Sequence, residues 1–493
     1  MELQLKQRKL DCLKQLTNQI RQEEQTQEIK LGDSMPDVGR VLGAWGQVLL
    51  RGKQWNHGNA GASGGVMAWV LYAPEDGSRE RCLETWIPFQ THWDLPQTQH
   101  DGMILAACNL KSIDARLVSA RKILVRACVS MMGQTYEPVQ MTVYESCETE
   151  PDVQILERNY PIRIPKEAGE KVFELEEDLC LPSAAPPLEH IICYDMHPEL
   201  VDQKVMGDKV VFRGTAWVHL LYHSTDGSIQ SWDFEIPFSQ YADLEQDIQP
   251  EADVKVIPVV TGLELENKEG CLKLHASLAG QYLVHDRQVI KLVDDAYSNR
   301  RQLELQRQSM EIPILLDDSR TVVRAEAPMP SNCSKILDAA FTYDQPQLRR
   351  SGDQVEVTLS GSFQTVFLDE EQSIHCGTSR WESSMNYRAD QQVQVHGMCV
   401  RTGRPQSGGI LTNDLAVELC AMSESGLTMV SAMELGQLQP QDPQRPSLLL
   451  RRMDGSDLWN IAKNYGSTVC AIMQANGLSQ EPEQGKMLLI PVV

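Results

Sequence analysis

The chain has 493 residues, which predicts three or four domains at roughly 150 residues per domain. The hydrophobic fraction of 42% is large enough for packed cores and excludes a disordered chain. The formal net charge of −23 argues against binding to the phosphate backbone of nucleic acids, which requires clustered lysine and arginine.

Residues 1–28 are predicted to form an amphipathic helix. Leu10, Leu13, Leu16 and Ile20 make an apolar stripe at spacings of three and four residues. The segment has charges but no apolar core of the signal-peptide type, so we expect no secretory signal. We also expect no membrane span, because no stretch of the chain approaches the ~18 apolar residues that a spanning helix requires.

A β-hairpin pattern occurs twice in the chain, about 150 residues apart. Alternating apolar residues indicate two strands, and an Asp-Gly pair between them indicates a tight turn. The shared positions are Leu71-Tyr72, Asp76-Gly77 and Ile87-Pro88-Phe89 in the first copy, and Leu221-Tyr222, Asp226-Gly227 and Ile236-Pro237-Phe238 in the second. A weaker third copy lies between Gly361 and Tyr387. Internal repetition of this kind predicts a mainly β chain of three repeated β-sandwich-like modules.

These repeats and the segments between them predict the domain organisation. Charged, proline-containing or polar stretches separate the modules, and a Pro/Gln-rich stretch precedes the tail. The predicted units are the helix 1–28, module one 29–147, a connector 148–171, module two 172–300, a bridge 301–312, a degenerate module three 313–436, a linker 437–446 and a C-terminal domain 447–493.

The C-terminal domain is predicted to have the order β-α-α-β. Residues 448–452 and 487–490 are apolar enough for strands, and two short helices lie between them. Ser456 or Asp457 can cap the first helix, and Asn476-Gly477 can end the second.

The C-terminal domain resembles the LysM family. The resemblance is carried by the motifs Gly455-x-x-Leu458-Trp459-x-Ile461-Ala462-Lys463-x-Tyr465-Gly466, Ala475-Asn476-Gly477-Leu478 and Gly485-Lys486-x-Leu488-x-Ile490-Pro491. It implies a shallow groove for N-acetylglucosamine polymers between two loops, formed here by Gly455, Ser456, Asp457, Leu458, Asn476, Gly477 and Leu478. The family usually has Asp-Thr where this chain has Ser456-Asp457.

The repeats resemble the spore-coat-associated SPOCS domain, with module two the best match. The matching residues are Gly214, Leu221-Tyr222, Ile236-Pro237-Phe238-Ser239 and Asp295-Ala296-Tyr297-Ser298. SPOCS repeats followed by a LysM domain are similar to the SipL/SpoVID group of coat morphogenetic proteins. The resemblance implies a scaffold on the forespore surface in the mother-cell cytoplasm, with the coat basement-layer ATPase SpoIVA and other coat proteins as partners.

The residues offer no catalytic motif, and we expect no enzyme activity, no cofactor and no metal. A phosphate-binding loop, a nucleophile elbow and a zinc-protease helix are all missing from the sequence. His219 and His223 are predicted to lie on one strand too far apart to share a metal, and we interpret them as part of an outward polar face. The 13 cysteines are scattered singly, which indicates reduced thiols in a cytosolic protein.

Two functional hypotheses follow. The first is a non-enzymatic scaffold for coat assembly that docks coat proteins through its LysM domain and β modules. The alternative is a peptidoglycan-binding protein that uses the LysM groove. The Ser456-Asp457 departure and the missing export signal favour the scaffold.

Overall fold

The computed structural model describes residues 2–56, 58–98, 100–147, 150–268, 271–439, 445–453, 455, 457–480 and 482–492. Strands make up 76% of the chain, and two short helices lie near the C-terminus. The predicted fold class, three repeated β-sandwich-like modules followed by a small β-α-α-β domain, is confirmed.

The first module consists of six strands in two antiparallel sheets. A two-residue strand β1 (Glu2–Leu3) precedes it. The six strands are β2 (Leu5–Lys30), β3 (Val38–Asn56), β4 (Asn59–Pro74), β5 (Arg81–Asp94), β6 (Met103–Ser119) and β7 (Lys122–Cys147). One sheet has the order β3-β4-β5, and the other has the order β2-β7-β6. The first strand of the module therefore pairs with its last strand.

The second module repeats this topology strand by strand. Its strands are β8 (Val153–Leu179), β9 (Leu188–Met206), β10 (Lys209–Ser224), β11 (Ile229–Asp243), β12 (Asp253–Lys268) and β13 (Cys271–Ser298). The two sheets have the orders β11-β10-β9 and β12-β13-β8. The repeated hairpin is β10 and β11, which pair around the Asp226-Gly227 turn as predicted.

The third module has the same plan with its second strand interrupted. Its strands are β14 (Arg301–Ala327), β15 (Lys335–Tyr343), β16 (Gln347–Ser351), β17 (Gln354–Leu368), β18 (Ile374–Arg388), β19 (Gln394–Ser407) and β20 (Leu411–Leu438). Both β15 and β16 pair with β17, and β18 pairs with its other edge. The break contains Pro346, which has no N–H to donate to a sheet. Strand β20 pairs with β14, β19 and β1.

The predictions for three segments outside the modules are wrong. The predicted helix 1–28 is strand β2, the predicted connector 148–171 contains most of β8, and the predicted bridge 301–312 is the start of β14. Each segment is the first strand of a module. In β2 the buried side chains change faces, from Leu10 and Cys12 to Leu13 and Thr17, near a register shift between Gln15 and Thr17. This change of face imitates the three-and-four spacing of a helix.

A glycine beneath an aromatic ring recurs in the hairpin of every module. The cross-strand pairs are Gly64 with Phe89, Gly214 with Phe238, and Gly361 with Trp381. At each glycine an added Cβ would overlap both the ring and a carbonyl oxygen of the neighbouring strand. The ring lies where a side chain would otherwise be, so the position requires glycine.

Each module contacts both of the others. Between modules one and two, the Met196 backbone N–H donates to Gln47 Oε1 at 2.9 Å. Between modules two and three, Ser231 Oγ donates to the Leu337 carbonyl oxygen at 3.1 Å. Between modules three and one, Gln364 Nε2 donates to the carbonyl oxygen of Ile113 at 2.9 Å. The modules therefore form a closed ring rather than an extended string.

A common axis runs through the ring. The first and last strands of all three modules bury one apolar cluster made of Leu10, Cys12, Val143, Ile162, Ile164, Ile290, Leu292, Met310, Ile312, Ile314 and Met429. The second and fifth strands of all three modules line a cavity of about 170 Å³. Because equivalent strands meet at the same place, the ring is approximately threefold.

The interface between modules two and three contains a buried ion cluster. His219 Nδ1 lies 2.8 Å from Asp233 Oδ1, and His219 Nε2 lies 3.0 Å from Asp338 Oδ1 of module three. Arg404 of module three also pairs with Asp233. The interpretation of His219 and His223 as an outward polar face is wrong, because module three covers His219 and the side chain of His223 is buried.

We predict that this cluster makes stability depend on pH. Burial lowers the pKa of His219, but the carboxylates of Asp338 and Asp233 outweigh it and hold the pKa well above its usual value. The contribution of His219 is therefore complete below the usual histidine pKa of about 6.5 and is lost as pH rises through the raised value. Burial raises the pKa of Asp233, but hydrogen bonds from His219 and Arg404 hold it below its usual value, so its contribution is lost only in strong acid. Thermal unfolding of His219→Gln should differ most from the unchanged chain near pH 5.5, and an equal difference at pH 10 would contradict the prediction.

Candidate functional site

The C-terminal domain has the predicted β-α-α-β order. It consists of β21 (Leu448–Arg452), α1 (Leu458–Tyr465), α2 (Val469–Ala475) and β22 (Met487–Pro491). The strands pair antiparallel, with Leu450 opposite Leu489. Leu449 of β21 packs against a small core formed by both helices and β22, which consists of Leu458, Ile461, Ala462, Ile472, Leu488 and Ile490.

Local hydrogen bonds fix the start of each helix, and a glycine fixes the end of α1. Asp457 is the N-cap of α1, and its Oδ1 accepts from the Asn460 backbone N–H at 2.8 Å. Thr468 caps α2 in the same way, through the Ala471 N–H at 3.0 Å. Gly466 ends α1 in the left-handed region at φ 61°. These caps account for the sharp helix boundaries in so short a domain.

The predicted groove residues that the structure describes lie in or directly beside the two loops but have different roles. Gly455 and Gly477 are exposed at positive φ and offer only backbone groups. Asp457 is used as the helix cap, Leu458 is 2% exposed in the core, and Leu478 packs against that core. Ser456 lies outside the described residues.

Asn476 is a structural clamp rather than an available ligand. Its Nδ2 donates to the carbonyl oxygens of Ile472 and Leu489, both at 2.7 Å, and its Oδ1 accepts from the Leu489 N–H at 2.8 Å. The amide joins the end of α2 to β22 and has little hydrogen-bonding capacity left for a glycan.

Asn476→Ala should destabilise the C-terminal domain by about 2 kcal/mol, because it removes three hydrogen bonds and leaves backbone groups of β22 without their partner. Hydrogen exchange measured by mass spectrometry on the full chain should be faster across residues 458–490 than in the unchanged protein. Gln474→Ala, an exposed side chain on the same helix, is the matched control. Unchanged exchange in Asn476→Ala would show that the clamp is dispensable.

The C-terminal domain is docked on module two through Asp295. One carboxylate oxygen, Oδ2, accepts from Trp459 Nε1 at 2.9 Å and from Lys463 Nζ at 2.7 Å. The other, Oδ1, accepts from Arg307 Nη2 at 2.7 Å. Burial raises the pKa of Asp295, but the hydrogen bonds from Lys463 and Trp459 outweigh burial and lower it. The carboxylate is therefore charged when the domain is docked.

Tyr297 extends the same interface. Its ring meets Trp459 edge to face with centroids 4.8 Å apart, and its hydroxyl donates to the Ser467 carbonyl oxygen at 3.0 Å. Tyr297 belongs to the apolar core of the C-terminal domain. Sequence reasoning missed this interface, although it singled out Asp295-Ala296-Tyr297-Ser298 of module two as a segment that matches the SPOCS domain.

The outer face of the two-stranded sheet is apolar and exposed. Leu448, Leu450, Met487 and Leu489 are 51%, 62%, 49% and 38% exposed in the whole chain. Sequence reasoning missed this surface too. The sequence signal for it was the run Leu448-Leu449-Leu450, because a strand with one exposed face would alternate apolar and polar residues.

The described residues contain no group of three or more His, Cys, Asp or Glu side chains that could hold a metal ion. No helix in that part of the chain is long and apolar enough to cross a membrane.

Comparison with protein families matches two segments. Residues 187–267, which comprise β9 to β12 of module two, match the SipL, SPOCS domain family, and residues 454–491 match the LysM domain family. These are the domains of a SipL/SpoVID-like protein. No curated protein and no solved structure matches the chain. The SPOCS match indicates a spore-related location, and both families are non-catalytic binding domains.

Proposed function

We propose that this SipL/SpoVID-like chain is a non-enzymatic scaffold for spore coat assembly. It acts on the forespore surface from the mother-cell cytoplasm, and its LysM domain docks a SpoIVA-type coat ATPase while the β modules recruit other coat proteins. The observation that carries the proposal is the presence of a SipL-type SPOCS domain and a LysM domain in one chain.

The architecture supports a scaffold role. Within the described residues of the ring, the outer strands β5 and β11 each pair along one edge only. An open sheet edge can accept a strand from a partner. The LysM domain is held against the ring by Asp295 and Tyr297, so it presents a defined surface.

Peptidoglycan binding is the second candidate function. The exposed backbone of Gly455 and Gly477 in the two loops of the LysM groove favours it. The uses of Asp457 and Asn476 within the fold count against it, because they leave few side-chain groups for sugar hydroxyls.

A binding experiment with two proteins tests the proposal. The intact chain and a version ending at residue 438 are each presented to purified SpoIVA-type ATPase and, in parallel, to insoluble peptidoglycan. We expect the intact chain to be retained by the ATPase, the shortened chain to lose at least ten-fold in affinity, and neither to be retained by peptidoglycan. Retention of the intact chain by peptidoglycan alone would overturn the scaffold proposal in favour of the glycan-binding one.

A further inference from the structure

The outer face of the LysM sheet is apolar, which is typical of a sheet face that packs against another surface. Three cross-strand pairs form this face: Leu448 with Pro491, Leu450 with Leu489, and Arg452 with Met487. The inner side chains of β22, Leu488 and Ile490, are fully buried, whereas the inner positions of β21 are Leu449 and Arg451. A strand that is apolar on both faces, as β22 is, is typical of a sheet packed on both sides. Here the described chain covers one side only.

The charged residues of the two strands, and Lys486 directly before β22, are basic. The segments 447–453 and 485–492 contain Arg451, Arg452 and Lys486 and no acidic residue, in a chain whose net charge is −23. Arg452 and Lys486 are exposed at the end of the face next to Met487. A partner with apolar side chains bordered by carboxylates would be complementary to this surface.

A second copy of the chain fits this surface poorly. Two copies would bring together two bodies that each carry a net charge of −23. A partner of different sequence can match the apolar strip and the basic end at once.

The other side of the domain is already occupied. Trp459 and Lys463 of α1 face Asp295 of module two, and both helices cover the inner side of the sheet. A partner that engaged α1 would have to displace module two. A partner that engaged the sheet would bind the docked domain as it stands.

We propose that the outer sheet face, defined by Leu448, Leu450, Met487 and Leu489 with Arg452 and Lys486, is the surface through which the LysM domain binds a protein partner with an apolar patch bordered by acidic side chains. This inference rests on the proposed function, and its partner is the SpoIVA-type ATPase. It assigns binding to the sheet rather than to the groove loops around Gly455 and Gly477.

Variants of the intact chain test the apolar half of this surface. Leu450→Gln with Leu489→Gln removes the central pair, and since both side chains are exposed, the fold should be kept. The matched control is Leu316→Gln with Leu438→Gln, two leucines that are 49% and 64% exposed in module three. Affinity for the purified ATPase should fall about 30-fold in the first variant, the size of a typical interface hot spot, and stay within two-fold in the control.

The charged half is tested by Arg452→Glu with Lys486→Glu. We expect weaker binding that depends less on salt between 50 and 300 mM than the binding of the unchanged chain, because attraction to acidic groups is lost. Hydrogen exchange over residues 458–490 verifies that each variant keeps its LysM fold.

The outcomes separate this inference from the proposed function. If the chain ending at residue 438 loses binding but the Leu450/Leu489 variant binds normally, the sheet-face inference is wrong and the scaffold proposal stands. If the shortened chain binds as well as the intact one, the scaffold proposal itself fails. If light scattering shows that the unchanged chain and the control variant are dimers and that the Leu450/Leu489 variant is a monomer, a second copy covers the face and the inference is overturned.

Discussion

Gly214→Ala is expected to lower the free energy of unfolding by about 3 kcal/mol or more, because overpacking between two strands cannot be relieved by a side-chain rotation alone. The added Cβ would lie 2.7 Å from the Phe238 ring and would also overlap the Glu199 carbonyl oxygen, which is backbone. Chemical denaturation followed by circular dichroism measures the loss.

The same change at Gly64 and Gly361 should have an effect of similar size, because each has an aromatic ring and a carbonyl oxygen in the equivalent place. Gly32→Ala is the matched control, since a Cβ there would meet nothing within 4 Å. If Gly361→Ala were as harmless as the control, the third hairpin would not share the packing of the other two.

Asp295→Ala is expected to release the LysM domain from module two. The carboxylate accepts hydrogen bonds from Trp459, Lys463 and Arg307, and its side chain is 13% exposed. Losing charge-assisted bonds at such a site weakens docking by about 2–3 kcal/mol, which raises the undocked fraction at least 30-fold. Hydrogen exchange should increase in residues 458–467 and at Tyr297, while the core of the ring stays protected.

Asp247→Ala, an exposed aspartate of module two, controls for the loss of one negative charge. A double-mutant cycle with Lys463→Ala should give a coupling energy of at least 1 kcal/mol. Additive effects of the two substitutions would mean that Asp295 and Lys463 do not act as a pair in solution.

The parts of the fold that were predictable from sequence are those held by short-range signals. Asp226-Gly227 marks the turn of its hairpin, and Asp457, one of the two predicted caps, marks the start of α1, because the physical cause lies within a few residues. Strand β2 was misassigned because its partner β7 begins at Lys122, and only that pairing decides which faces are buried. The ring had no local signal, since its contacts join residues such as Gln364 and Ile113 that are 251 positions apart.

In the candidate site, too, the features with a short-range signal were predictable from sequence and those that depend on distant contacts were not. The positions of Gly455 and Gly477 in two loops follow from the family motif, whereas Leu458, which was predicted to line the groove, is buried in the core. The motif could not show that Asn476 binds the backbone of β22, nor that Trp459 reaches Asp295. Both depend on where distant segments lie in the folded chain.

The ring also determines valency. In a symmetric trimer of separate subunits, every attachment point would occur three times. Here one chain supplies all three modules with different residues, and the Asp295-Ala296-Tyr297-Ser298 motif that seats the LysM domain occurs once. Each molecule thus offers one LysM contact. On the proposed function, strong attachment to the forespore surface would come from many molecules side by side, so that avidity would depend on how densely the chains are packed.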